Sequence, residues 1–276
     1  MDLTVLTGEV LWLGLALVAS GLVAGFLAGL FGIGGGAVLV PVLYQFLTFL
    51  EVDPGVRMHV SVGTSLGIMV PTSLRSFLAH KRRGSVDLEL LRTWLVPVPL
   101  GVVAASFVAA YVSGDGLKAI FAMIALVLGL RMLLDQPHWR LGTEIPGNPI
   151  RAVCGWLTGF FSTLMGIGGG VMNNTFMTLY GRPIHQAIAT SAGTGLLISV
   201  PGTIGLIWAG WGAPDLPPFS AGYVNLLGVA LIIPVTTFAA PLGVKVAHAL
   251  PRRRMEILFG SFLLLVSARF FFGLIG

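Results

Sequence analysis

Two short stretches of this sequence hold backbone amides in a pattern that could bind an anion. One reads Phe31-Gly32-Ile33-Gly34-Gly35-Gly36 and the other Met165-Gly166-Ile167-Gly168-Gly169-Gly170. Each sits inside an apolar run and is followed by another. Glycine in an apolar run serves where backbone must approach a neighbour closely or where a helix breaks. A helix restarting after such a break leaves its first N–H groups unpaired at the positive end of its dipole. An oxyanion can accept several of those bonds without a buried lysine. Gly34, Gly35, Gly36, Gly168, Gly169 and Gly170 are therefore the expected lining of such a site. The alternative is close helix packing through small residues, which is the role expected of Gly25 to Gly29.

Polar side chains recur beside both motifs. Ser61, Thr64 and Ser65 share one helix face by their spacing, as do Ser191 and Thr194. Their hydroxyls either reach an anion or bond to backbone and neighbouring helices, as serine and threonine commonly do in membranes. Asn173 and Asn174 follow the second motif where the first half has Leu39 and Val40. Two amides in an apolar run are costly unless satisfied, and their N–H donors suit an anion; helix capping or bridging is the other reading. Arg131 and Arg269 lie near the ends of apolar runs, where they either attract an anion or snorkel to the interface. Arg75 is expected to snorkel, and His59, His185 and Gln186 are expected at the interface. Asp87, Glu89, Asp115, Asp135 and Glu256 all fall at run ends. Carboxylate-based proton or sodium coupling has no evident carrier, whereas an inside-negative potential drives an anion outward by about 2.3 kcal/mol per charge at 100 mV.

The elements that must hold these residues follow from composition. Of 276 residues, 55% are hydrophobic and 10% charged, with a mean hydropathy of +0.93. Soluble domains carry roughly 25% charged residues, so this chain reads as an integral membrane protein. Its apolar runs are continuous and long, unlike the ten-residue alternating strands of an outer-membrane barrel. The net charge of +5 comes from basic residues spread over short loops, which fits topology signals and not a nucleic-acid face. A lone Cys154 excludes an internal disulfide and a cysteine metal cluster; no metal or cofactor is expected. Met1 to Val10 lacks the basic start of a signal peptide, so Leu11 onward is expected to stay as a membrane segment.

The apolar runs are 10–31, 37–50, 58–80, 88–112, 117–134, 150–166, 169–180, 184–209, 221–249 and 255–275. A full span needs about 20 residues. The runs 58–80, 88–112, 117–134, 184–209, 221–249 and 255–275 meet or nearly meet that length, and 10–31 is long enough to cross. The runs 37–50, 150–166 and 169–180 are short and flank the glycine motifs, which predicts broken or re-entrant hairpins. Lys81-Arg82-Arg83 and Arg252-Arg253-Arg254 mark cytoplasmic ends. That choice puts the 135–151 loop and Arg182 inside, and the N-terminus, Glu51 to Arg57, Ser113 to Gly116 and Trp211 to Ser220 outside.

Landmarks then recur in the same order in both halves. The glycine motifs, Ser61 to Leu66 with Ser191 to Leu196, Pro99-Leu100-Gly101 with Pro241-Leu242-Gly243, and Arg131 with Arg269 are offset by 134, 130, 142 and 138 residues. The predicted fold is an all-α polytopic membrane protein with about eight to ten segments in two inverted-topology repeats. Residues 1–135 form the first repeat, 136–149 a cytoplasmic linker and 150–276 the second.

With the paired motifs in view, the chain resembles the sulfite exporter TauE/SafE family from about Leu11 to Gly273. The residues carrying the resemblance are Gly25 to Gly36, Val62-Gly63-Thr64-Ser65, Gly166 to Gly170 and Ala192-Gly193-Thr194. The resemblance implies a multi-pass plasma-membrane transporter, in the inner membrane of a Gram-negative cell, exporting sulfite or small organosulfonates such as sulfoacetate. Its partners would be that small anion and the bilayer, with homodimerisation open and no nucleic acid. An anion channel and an uptake permease for another small solute are the alternatives. An intramembrane serine protease built on Ser191 lacks a suitably placed histidine, and no G-x-x-x-x-G-K-[ST] phosphate loop occurs, so no enzyme activity is expected.

Overall fold

The structure, a computed structural model, describes residues 18–19, 21–27, 36–134, 141–249 and 251–275. Gly34, Gly35 and most of the first glycine motif lie outside the described residues. The helices are α1 (Gly36–Phe49), α2 (Pro54–Arg82), α3 (Leu88–Trp94), α4 (Pro97–Tyr111), α5 (Gly114–Leu134), α6 (Ile150–Leu164), α7 (Gly170–Leu179), α8 (Ile184–Ala209), α9 (Leu226–Ala249) and α10 (Arg252–Ile275). Residues 21–27 are also helical. A two-residue hairpin, β1 (Ser220–Ala221) and β2 (Val224–Asn225), precedes α9. The chain is thus an all-α polytopic membrane protein.

Among the described residues, α5, α8 and α10 are long and apolar enough to cross a membrane. The run 88–112, expected as one span, is two helices, α3 and α4, bent by 46°. Pro97 and Pro99 account for the break, since proline cannot donate to the preceding turn. The helix expected from 221 starts instead at Leu226. Gly222 takes φ +53° in the hairpin, and Asn225 Oδ1 accepts the Gly228 N–H at 2.7 Å to close the first turn of α9.

Packing pairs the helices around glycine. α2 and α8 cross at the centre, where a Cβ on Gly195 would meet Ser73 Oγ at 2.7 Å and one on Gly202 would meet Leu66 Cδ1 at 3.1 Å. α1 lies on α2, and α7 lies on α8. α4 packs on α6 through Gly101 and Gly159, while the 21–27 helix packs on α9, with Gly25 against Thr236 Cα at 2.7 Å. Gly25 thus has the packing role expected of it. α5 and α10 form an antiparallel pair whose ends cap each other. Lys118 Nζ donates to the Gly273 carbonyl at 2.5 Å, and Arg253 donates to the Met132 and Leu133 carbonyls at 3.0 and 2.5 Å. Cations at helix C-termini complement the dipole. The Arg253 contacts also bring the start of α10 beside the end of α5.

Candidate functional site

The second glycine motif ends where a helix starts, α7 at Gly170 after the left-handed Gly169. Gly36, the described residue of the first motif, is helical in α1 and packs against that break. A Cβ on Gly36 would strike the Gly166 carbonyl, lie 2.7 Å from Ile167 Cα and lie 2.9 Å from Met69 Sδ. Gly166 and Gly169 take φ of +62° and +73°, the left-handed region that glycine enters without strain. Gly169 is the residue before α7, and no side chain caps the helix there. The first N–H groups of α7, those of Gly170 and the following residues, therefore open into a buried junction with no side-chain acceptor at the cap. Ser65 ties the halves together, its hydroxyl donating to the Gly166 carbonyl at 2.8 Å. Met69 fills the remaining space, with its Cε against Gly168.

A second polar group lies on the next turn of α7. Asn173 is fully buried. Its Nδ2 donates to Ser191 Oγ at 2.7 Å and to the Ala187 carbonyl at 3.3 Å. Ser191 in turn donates to Asn174 Oδ1 at 2.7 Å. This relay uses the oxygen of Asn174 and leaves its NH2 group, which is half-buried, as the donor end. An anion reached from this side would meet N–H donors, the polarity an oxyanion needs.

The remaining expected residues are placed differently. Ser61 donates to the Arg57 carbonyl one turn back at 2.8 Å, and Thr194 donates to the Thr190 carbonyl at 3.3 Å; both hydroxyls are engaged with their own helix. Thr64 Oγ1 accepts the Asn225 N–H at 3.0 Å. On the other long helix a different position, Thr190, makes the same kind of contact: its Oγ1 accepts the Asp87 N–H at 2.9 Å. Asp87 caps α3 through Leu90 N at 3.0 Å, as Asn225 closes the first turn of α9. Each long helix is thus latched by a loop from the opposite half. Arg131 and Arg269 sit at opposite ends of the α5–α10 pair; Arg269 is exposed and bonds Gln45 Oε1 at 3.3 Å.

Four residues carry roles that sequence reasoning missed: Met69, Thr190, Asn225 and His59. His59, expected at the interface, is buried at 2% exposure, because the end of α4 and the Gly222–Tyr223 turn close over it. Met69 gave no signal beyond lying one turn after Ser65. The α3 and α9 caps were legible only as Asx residues before helices.

The polytopic helical fold and the break between Gly166 and Gly169 packed against Gly36 belong to an integral membrane protein, and its relatives make it a membrane transporter. The chain belongs to the sulfite exporter TauE/SafE family, whose model matches residues 17–270. It is 33% identical over 251 residues to a "Probable membrane transporter protein" of Haemophilus influenzae, covering 91% of this chain and 95% of that one. Relatives with the same description in Methanocaldococcus jannaschii and Bacillus subtilis are 26% and 25% identical, over 90% and 92% of this chain and 91% and 95% of theirs. No solved structure matches the chain.

Proposed function

We propose that the protein is a secondary transporter exporting small sulfur oxyanions, sulfite or organosulfonates such as sulfoacetate, across the plasma membrane. The observation that carries this reading is the buried start of α7, without a side-chain cap, in the second glycine motif that packs against Gly36 of α1 and Met69 of α2. Unpaired amides at the positive end of a helix dipole bind anions without a permanent buried charge, and the Asn174 NH2 adds a donor. Among the described residues no aspartate or glutamate is buried, so the membrane potential supplies the outward drive on a negative substrate.

The halves act as inverted-topology repeats of the same device. The Asn225–Thr64 latch lies in the half of α2 nearer Pro54, beside Ser65, and the Asp87–Thr190 latch lies in the half of α8 nearer Ile184. Opening them in alternation exposes the junction to one side at a time, with the N-terminus outside. The test is efflux from proteoliposomes of the purified protein loaded with labelled sulfite, sulfate, sulfoacetate or neutral amino acids. Saturable efflux with counter-flow for sulfite or sulfoacetate is expected. Preference for the neutral amino acids overturns the anion reading, and non-saturating flux without counter-flow points to a channel.

A further inference from the structure

We propose that the Ala187 carbonyl, acting through Asn173 and Ser191, fixes which end of the Asn174 side chain is free, and so makes Asn174 the residue that selects hydrogen-bond acceptors over donors. Asn173 and Ser191 are then positioning residues. Ala187 lies in the first turn of α8, and its backbone carbonyl can only accept. One end of the Asn173 amide lies 3.3 Å from that oxygen and 3.5 Å from Met177 Sδ, neither of which can donate. That end is therefore the NH2 group. The other end, Oδ1, is buried and has no hydrogen-bond partner, so the amide is held from its donor side alone. Reversing it would set oxygen against oxygen at the Ala187 carbonyl.

The orientation set at Ala187 passes along the relay. An Asn173 NH2 at 2.7 Å makes Ser191 Oγ an acceptor, and the single hydrogen of that hydroxyl goes on to Asn174, also at 2.7 Å. The atom of Asn174 that receives it must be the oxygen. The NH2 group is then the free end, and among the described residues nothing accepts from it. Asn174 stands four residues after Gly170, on the same face of α7. Helical side chains lean toward the N-terminus of their helix, so the NH2 is delivered to the turn that carries the uncapped amides of α7. Its two hydrogens have the same polarity as those amides. A solute end that offers only acceptors, such as a sulfonate or carboxylate, gains a bond there, whereas an ammonium group meets another donor.

The transport arm of the test rests on the anion reading of the junction; the structural arm does not. Efflux of labelled sulfoacetate is measured for Ser191→Ala in two backgrounds. With Asn174 present, KM is expected to rise at least about twofold, the factor for an amide that turns freely between two orientations. With Asn174→Leu already in place, Ser191→Ala is expected to add no further rise, because nothing is left to orient. An equal rise in both backgrounds overturns the proposal, since Ser191 would then act on the anion or the fold directly; so does no rise in either. The second arm uses no anion: NMR on the full-length protein carrying 15N-asparagine and 13C-serine. The chain has four asparagines, Asn148, Asn173, Asn174 and Asn225, and the Asn173→Leu and Asn174→Leu variants assign the two in the relay. Strong cross-peaks are expected from the Ser191 β-hydrogens to the Asn173 NH2, and only weak ones to the Asn174 NH2, even if sulfoacetate proves not to be carried. The reverse pattern, or equal cross-peaks to both, overturns the proposal whatever the transport result.

Discussion

Leu39 and Val40 occupy the second turn of α1, and Asn173 and Asn174 occupy the same place on α7. The leucine and valine are buried in apolar packing, with Val40 Cγ2 only 2.7 Å from where a Cβ on Gly166 would lie. The asparagines sit in a hydrogen-bonded relay with Ser191. The long helices differ in the same sense. α2 sends Ser65 and Met69 into the junction, while the corresponding positions on α8 are Gly195 and Ser199. The two halves therefore differ in chemistry: α1 and α2 supply an apolar wall and a plug, and α7 and α8 supply donors. His59 extends the contrast, since its counterpart on α8 is the fully buried Ala189.

The largest effects should come from the glycine motifs that the halves share. Gly169→Val puts a β-branched residue at φ +73° and a Cβ 2.6 Å from Ile198 Cδ1. Strain of that kind costs roughly 1–3 kcal/mol and closes the space in front of the α7 amides. Gly36→Val drives a Cβ into the Gly166 carbonyl. Both variants are expected to lose at least about a hundredfold in proteoliposome efflux while still reaching the membrane. Gly147→Val serves as the control, because a Cβ there meets nothing within 4 Å. Normal transport by both junction variants would show that the glycines merely let helices touch.

The donor wall should respond next. Asn173→Leu writes the first half's residue into the second, removing the donor to Ser191 and freeing Ser191 from its orienting bond. Loss of a buried hydrogen bond with an orphaned partner costs about 1–3 kcal/mol, so KM is expected to rise about tenfold. Asn174→Leu removes the NH2 donors and also the acceptor of the Ser191 hydroxyl; a similar rise in KM with a modest loss of thermal stability is expected. The reciprocal Leu39→Asn should instead lower thermal stability, since Ser61, the counterpart of Ser191 on α2, is already bonded to the Arg57 carbonyl. If Asn173→Leu and Leu39→Asn behave alike, the contrast between the walls fails.

Much of this contrast was visible in the sequence. The restart at Gly170 followed from motif position, and the asparagines stood out against Leu39 and Val40. Hydropathy, however, cannot separate a helix facing lipid from one buried in protein. The run 58–80 reads as an ordinary span, yet from Met58 to Met69 every residue of α2 is buried by the rest of the chain. The apolar look of Met69 concealed its place against Gly36 and Gly168 for the same reason. The partners of Thr64 and Thr190 lie 161 and 103 residues away, and only folding brings those loops to them. The 46° bend at Leu95–Val96 was hidden because the two helices taken together have the length and hydropathy of one span.

The latches offer the smallest effect and the sharpest test of how the halves alternate. Each is one hydrogen bond from a backbone N–H to a threonine hydroxyl, worth about 0.5–1.5 kcal/mol net, so its removal shifts a conformational balance roughly twofold to tenfold. Thr64→Val and Thr190→Val keep the side-chain shape and delete the acceptor. Their effects should be opposite in direction, since one latch closes each end of the molecule. In a chain carrying Cys154→Ala and Asn174→Cys, a membrane-impermeant thiol reagent added outside should label faster with Thr64→Val and slower with Thr190→Val. Reagent sealed inside should give the reverse order. Equal acceleration from both sides by both variants would mean that the latches hold the fold together without selecting a side, and the alternating reading would lose its gates.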